Sequence, residues 1–392
     1  MRRTVVTGLG VVSPFGAGVK AYWAGLAAGA CAIRPLTLFE ATGFRCGLAG
    51  EVPDAAGGSL RRTRADRLAL TAAREALDDA GLDASERRGT ALVVGAVGGG
   101  MFEAEAWYWA RARGERVPGG VSALRTMLPG SHAAALGHRL RLEGPRQTVV
   151  TACSSGAVAV AEAADLVADG VVDVAIAGGV DALTRLCFMG FNALKLLDPE
   201  PCRPFDRDRR GMSIGEGAAF LVLEAAEHAR ARGARVYAEL GGHGVTTDAF
   251  HVTAPQPDGG GMTRAMQAAL AAAGVPATAV GYVNAHGTAT PQNDRIEAQA
   301  IARVFGEGGV LVSSIKSMIG HAMAASGSLE AVATILALVH ELLPPTASLV
   351  TPDPEVTFDC LPGVAREAAV ECAISNSFGF GGQNVTLLFR RA

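Results

Sequence analysis

Short apolar, β-branched runs alternate along this chain with longer alanine-rich stretches whose apolar positions recur at helical spacing. The opening residues, Val5-Val6-Thr7-Gly8, read as a first strand. Residues 91–94, 172–177 and 219–223 read as further strands. Helices are predicted over residues 64–80, closed by Gly81 as a C-cap, and over 262–273, closed by Gly274. A third, over residues 328–343, is apolar nearly throughout and is expected to stop at Pro344-Pro345. Alternation of this kind predicts a layered α/β fold with a largely buried mixed or parallel sheet. No Pro/Ser/Gly linker divides the chain. Residues 147–155 read strand, small-residue turn, helix start, and residues 310–317 read the same way. That echo predicts two similar α/β halves on one core, with a boundary around residues 240–260.

Composition narrows the function classes. Half of the 392 residues are apolar (49%) and 19% are charged, which excludes intrinsic disorder. Acidic and basic residues nearly balance, 38 against 35, so the footprint of a dedicated nucleic-acid binder is missing. No uncharged apolar run approaches the roughly 18–20 residues that span a bilayer. The apolar part of the N-terminus is too short for a signal peptide. The seven cysteines include no Cys-x-x-Cys pair. That argues against a disulfide scaffold or a zinc cluster and predicts a reducing, cytoplasmic setting. Lysine occurs only at positions 20, 195 and 316, so each one stands out.

Four segments could carry chemistry. In the first, Val149 and Val150 suit a strand and residues 157–166 a helix, so Cys153 sits at the turn facing a helix N-terminus. Free N–H groups and the helix dipole stabilise a thiolate there. A buried structural cysteine is the other reading, and the usual fate of a lone one. In the second, a strand ends at Asn284 and His286 stands in a small-residue loop, where α/β sheets bind ligands. It could equally be a capping histidine. A helix is expected to start near Asp294. In the third, Lys316 and His321 lie among small residues, and Glu330 follows where it could pair with Lys316 or orient a water. A lysine where arginine is the default implies that a compact ammonium is required; a solvated surface lysine is the alternative. In the fourth, Phe378 and Phe380 alternate with glycines after a strand. The segment reads as a flexible loop with free N–H groups and a ring as gate, or as a tight turn packing two rings into the core. Neither it nor Gly8-Leu9-Gly10 matches a dinucleotide fingerprint.

Together these segments resemble one family nearly end to end, the β-ketoacyl-acyl carrier protein synthases of the thiolase-like condensing enzymes. The matching motifs are Val5 to Pro14, Thr151-Ala152-Cys153-Ser154-Ser155-Gly156, Pro204-Phe205-Asp206 with Gly215-Glu216-Gly217, Asn284-Ala285-His286-Gly287-Thr288, Ser314 to His321, and Phe378-Gly379-Phe380-Gly381-Gly382. The resemblance implies a five-layered αβαβα fold of two duplicated halves, residues 1–245 with the nucleophile and 246–392 with the histidines, lysine and gating loop. It also implies decarboxylative condensation of an acyl group on Cys153 with malonyl-acyl carrier protein, in fatty acid or in type II polyketide or polyene synthesis. In that reading His286 and His321 stabilise the enolate, and Lys316 and Glu330 hold their hydrogen-bond network. The N–H groups of Cys153 and Phe380 form the oxyanion hole, and Phe380 with Phe378 gates the second substrate.

No metal or organic cofactor is implied, the phosphopantetheine arm being the carrier protein's. The implied partners are acyl- and malonyl-carrier protein and a dimer mate, identical or a chain-length factor. An acidic carrier requires a basic patch. Arg61, Arg62, Arg64 and Arg67 are the first candidates, and Arg203, Arg207, Arg209 and Arg210 the second. Three departures stand out: Gln383 where the family usually has Thr, Arg210 where Asp is more usual, and the aromatic run Trp107-Tyr108-Trp109 after three glycines. A silent chain-length partner, a Cys-His hydrolase and a degradative thiolase are the competing readings. The first would lack Cys153, the second would not need a second His with Lys316, and the third would place a cysteine between Ser375 and Asn384.

Overall fold

The computed structural model describes residues 2–53, 63–116 and 121–392. The strands that build the first half are β1 (Thr4–Ser13), β2 (Ala91–Ala96), β3 (Arg146–Val149), β4 (Val174–Asp181) and β5 (Gly217–Ala225). Those of the second are β6 (Ala238–Thr247), β7 (Val280–Asn284), β8 (Leu311–Ser313), β9 (Cys372–Gly379) and β10 (Gln383–Arg391). The helices that position the site are α1 (Arg64–Ala80), α2 (Met101–Ala112), α3 (Ser155–Ala168), α4 (Arg185–Ala193), α5 (Gly260–Ala273), α6 (Pro291–Phe305) and α7 (Ser326–His340).

The strand order is β8-β7-β9-β10-β6-β1-β5-β4-β2-β3. Each half repeats the other, since β1-β5-β4-β2-β3 and β6-β10-β9-β7-β8 follow the same path. In both, the first three strands pair antiparallel and the last three parallel. The halves join where Thr4 to Val6 pair with Ala238 to Leu240. Helices α3 and α7 pack on each other and touch strands of both halves, while α1 covers β1 and β5 and α5 covers β6 and β10. The layers are therefore helix, sheet, helix, sheet, helix.

The duplication is built into the packing. A Cβ at Gly8 or Gly10 would lie 2.2 or 2.0 Å from the Ala76 or Ala72 carbonyl of α1. A Cβ at Gly242 or Gly244 would lie 2.6 or 2.1 Å from the Ala269 or Ala265 carbonyl of α5. Each half thus opens with a Gly-x-Gly strand that lets a helix backbone ride directly on it. Helix α1 matches its expected span, with Thr63 accepting the Asp66 N–H and Gly81 left-handed.

Helix α7 departs from its expected span. It begins two residues earlier and ends at His340, where Glu341 turns left-handed. Leu342–Leu343 then pairs with Arg366–Glu367, so strand pairing ends the helix before the prolines. The stretch Met323–His340 is long and apolar enough to cross a membrane, but 83% of it is buried in this fold, as expected of a central core helix. Close contact between α3 and α7 depends on Gly156, whose Cβ would meet the Ala324 carbonyl at 2.5 Å. We expect Gly156→Ala to destabilise the protein by about 1–3 kcal/mol, the usual cost of overpacking. Denaturant titration checks this, and an unchanged midpoint would mean that the two helices slide apart freely.

Candidate active site

The first elbow follows β3. Ala152 takes a left-handed conformation (φ 52), and the turn Ala152–Ser154 delivers Cys153 just ahead of α3. Ser155 Oγ locks the turn, accepting the Thr151 N–H at 2.9 Å and donating to the Ala152 carbonyl at 2.7 Å. Cys153 is buried yet lines a cavity of about 330 Å³ with His286, His321, Phe378 and Phe380. The sulfur is therefore reachable from the cavity. Burial pushes the thiol up to about 11, against the opposing pull of Lys316 and of the Phe380 N–H. Burial therefore works against the thiolate that the helix end was expected to favour.

His286 stands two residues beyond β7. Its own N–H and that of Gly287 both bond the Glu297 carboxylate of α6 at 2.8 Å, which fixes the loop. Lys316 Nζ donates to the His286 carbonyl at 2.6 Å and pairs with the Glu330 carboxylate of α7. It also lies 3.2 Å from His286 Nδ1. An ammonium only donates, so Nδ1 accepts and the ring hydrogen is on Nε2. His321 reaches the same state by another route. The Met323 N–H donates to its Nδ1 at 3.3 Å and the Ser326 hydroxyl lies 2.8 Å from the same atom, so its hydrogen is also on Nε2. The two rings lie 5.4 Å apart and nearly perpendicular. Burial and the Lys316 charge hold both well below the usual histidine range, so both are neutral near pH 7. Burial raises the Glu330 carboxyl to about 7 despite its cation, and Ser377 approaches its other oxygen at 3.5 Å.

The aromatic segment divides in two. Phe378 is buried within β9 beside His286, and only Phe380 stands in the turn, where it packs on Phe191 of α4. Of the two readings, a flexible loop or a tight turn packing both rings, strand pairing of Phe378 with Asn384 takes Phe378 out of any loop and leaves Phe380 in the turn. The turn is tied to residues 248–256. Asn384 Nδ2 donates to Asp248 Oδ1 at 2.7 Å, the Gln256 N–H donates to Asp248 Oδ2 at 3.0 Å, and the Gly381 N–H reaches the Val252 carbonyl at 2.8 Å. Glu297 and Asp248 were missed from sequence. Glu297 stands one turn after Asp294 on α6, and two buried carboxylates at a helix start were the available signal. Nothing local marks Asp248.

Among the described residues, the candidate docking arginines are largely engaged within the fold. Arg64 is buried and its guanidinium grips the Glu216 carboxylate, with Nε 2.9 Å from Oε2, so it cannot dock a partner. Glu216 also takes the N–H groups of Val52 and Leu183, which makes this pair a brace between α1 and β5. Arg61 and Arg62 lie outside the described residues, and Arg67 is half-buried. In the second cluster Arg209 is buried against Asp353, Arg210 pairs with Asp198 and Glu200, and Arg207 pairs with Asp208. Their charge is largely met within the fold.

Residues 1–229 match the family model described as the N-terminal domain of β-ketoacyl synthase, and residues 237–350 match its C-terminal domain. The chain belongs to the β-ketoacyl synthase family. Among curated relatives it is similar to the 3-oxoacyl-[acyl-carrier-protein] synthase 2 of Synechocystis sp., 40% identical over 410 residues, covering 100% of this chain and 98% of the relative. Among solved structures it is similar to the ishigamide ketosynthase/chain length factor, with a TM-score of 0.94, 38% identity, and coverage of 100% and 99% of the two chains. It is also similar to one chain of the solved complex of a type II polyketide acyl-carrier protein with its ketosynthase bound to the hexaketide, with a TM-score of 0.93, 30% identity, and full coverage of both chains. The two-half thiolase-like architecture is thus the family's own.

Proposed function

We propose that this chain is a 3-oxoacyl-[acyl-carrier-protein] synthase that lengthens an acyl chain by decarboxylative condensation. One observation carries the reading: Cys153 and two histidines, each with a donor held at its Nδ1, line the same cavity. In the first step the Cys153 sulfur attacks an acyl-carrier thioester. The acyl group moves to sulfur and the thiol proton leaves on the carrier's thiol. The N–H groups of Cys153 and Phe380 hold the oxyanion of that step. In the second, malonyl-carrier protein loses carbon dioxide. The His286 and His321 N–H groups bond the thioester oxygen as it gains charge. The resulting carbanion attacks the acyl-Cys153 carbonyl and expels the sulfur, which recovers a proton. Neutral donors suit this, because they favour the charge only as it develops.

No organic cofactor is required of the protein, since the pantetheine arm arrives with the carrier. A dimer mate is part of the reading, either an identical chain or a chain-length factor as in the ishigamide pair. Edge strand β3, followed by exposed Val150, is the surface that would pair. Seven free cysteines suit a reducing, cytoplasmic setting. A silent chain-length partner would not need Cys153. A hydrolase would orient its histidine with a carboxylate or amide, whereas His286 Nδ1 faces Lys316. Intact-protein mass spectrometry after incubation with a series of acyl-carrier thioesters tests the proposal. The expected result is one acyl adduct, mapped to Cys153, which malonyl-carrier protein then discharges as a 3-oxoacyl product. Hydrolysis of every thioester without an adduct would overturn it.

A further inference from the structure

Each half of the fold builds one elbow. Left-handed Ala152 precedes Cys153 in the first, and left-handed Met323, with the same φ of 52, precedes Ala324 in the second. The Ser154 N–H to Thr151 carbonyl bond (3.3 Å) is matched by the Ala325 N–H to Ala322 carbonyl bond (3.0 Å). Ser155 and Ser326 then open α3 and α7. Ala324 therefore stands where Cys153 stands in the other copy. Its N–H is the counterpart of an oxyanion-hole donor. The second copy differs by a longer segment between β8 and the elbow, and that segment carries Lys316 and His321.

The ends of the paired strands complete the parallel. Strand β9 ends at Gly379, against the Cys153 elbow, where a Cβ would lie 3.3 Å from the Cys153 nitrogen. Strand β4, its counterpart, ends at Asp181. Asp181 Oδ2 accepts the Ala324 N–H at 2.9 Å. Its Oδ1 accepts the N–H groups of Gly98 at 2.7 Å and Val97 at 3.3 Å. The side chain is buried; burial raises its carboxyl to about 6, against the pull of the Ala324, Gly98 and Val97 N–H groups, and His132, bonded to Asp66, is the other titratable group facing it.

We infer that the Asp181 carboxylate fills, in the second elbow, the backbone anion position that a substrate oxygen takes in the first, and that by doing so it positions His321. The mechanical link is short. The turn Met323–Ala325 is gripped by Asp181 through the Ala324 N–H, and the same turn sends the Met323 N–H to His321 Nδ1. The other carboxylate oxygen holds Gly98, just ahead of α2, so the His321 elbow and the start of the aromatic helix share one anchor. Asp181 is thus a positioning residue that touches no substrate. The inference rests on the function proposed above.

Asp181→Asn keeps the shape but turns an NH₂ group toward backbone donors. We expect the kcat for malonyl-carrier decarboxylation to fall about 10–100-fold, the usual scale for a small misplacement of a reacting group. Acyl loading of Cys153, which does not use His321, stays within about twofold. Asp181→Glu, which retains the carboxylate, recovers at least part of the loss. Parallel loss of loading and decarboxylation would reduce Asp181 to a core residue. Unchanged decarboxylation in Asp181→Asn, or no recovery in Asp181→Glu, would likewise overturn the inference. Failure of the wild-type enzyme to decarboxylate malonyl-carrier protein would instead sink the proposed function.

Discussion

Replacing Cys153 by alanine is expected to remove condensation almost entirely, by a factor on the order of 10⁵ or more, the scale seen when a covalent nucleophile is deleted. Carbon dioxide release from malonyl-carrier protein should survive within about tenfold, because its two donors are built without the sulfur. His286 takes its tautomer from Lys316, and His321 takes its own from the Met323 N–H and Ser326. None of those bonds involves Cys153. His321→Ala should show the opposite profile, with acyl loading kept and decarboxylation lost. Loading is read by intact mass and decarboxylation by trapped labelled carbon dioxide. A Cys153→Ala enzyme that still condenses would place the nucleophile elsewhere. One that loses both steps together would mean that the sulfur helps to hold the histidines.

Much of this site could be read before the structure, for identifiable reasons. Cys153, His286, Lys316 and His321 sit in runs of small residues that only a close-packed loop requires, and each run follows a recognisable strand. The duplication was visible too. The echo between residues 147–155 and 310–317 corresponds to β3 and β8, which hold the same place in the two halves. The Gly-x-Gly of β1 and that of β6 are a second copy of the same signal, but its packing role stayed hidden, because the helix that uses each pair is distant in sequence.

What stayed hidden depends on long-range packing. Arg64 looked like a surface cation among other arginines, yet Glu216, 152 positions away, buries it. Asp181 and Asp248 act through backbone groups brought together only by the fold. The burial that pushes the Cys153 thiol up comes from enclosure, which a turn motif does not report.

Lys316→Met should cost both stability and chemistry, and the two losses can be separated. The substitution leaves the Glu330 carboxylate buried without its cation and the His286 carbonyl without its donor. Breaking one side of a buried pair costs about 3–5 kcal/mol. The Glu330 carboxyl, already raised to about 7, then takes up a proton and limits the damage. Meanwhile His286 Nδ1 loses the ammonium that keeps it an acceptor, so the ring can move its hydrogen away from Nε2. We expect decarboxylation to fall by about 10²–10³-fold, the scale for losing one preorganised donor. Adding Glu330→Gln removes the remaining cost of keeping that carboxyl buried, charged or protonated, and should restore part of the unfolding midpoint, because neighbouring substitutions of this kind are not additive. It should not restore decarboxylation, since the tautomer remains unfixed. Recovery of both in the double variant would make the Lys316–Glu330 pair a structural strut. Recovery of stability alone shows that the lysine sets which nitrogen of His286 faces the substrate.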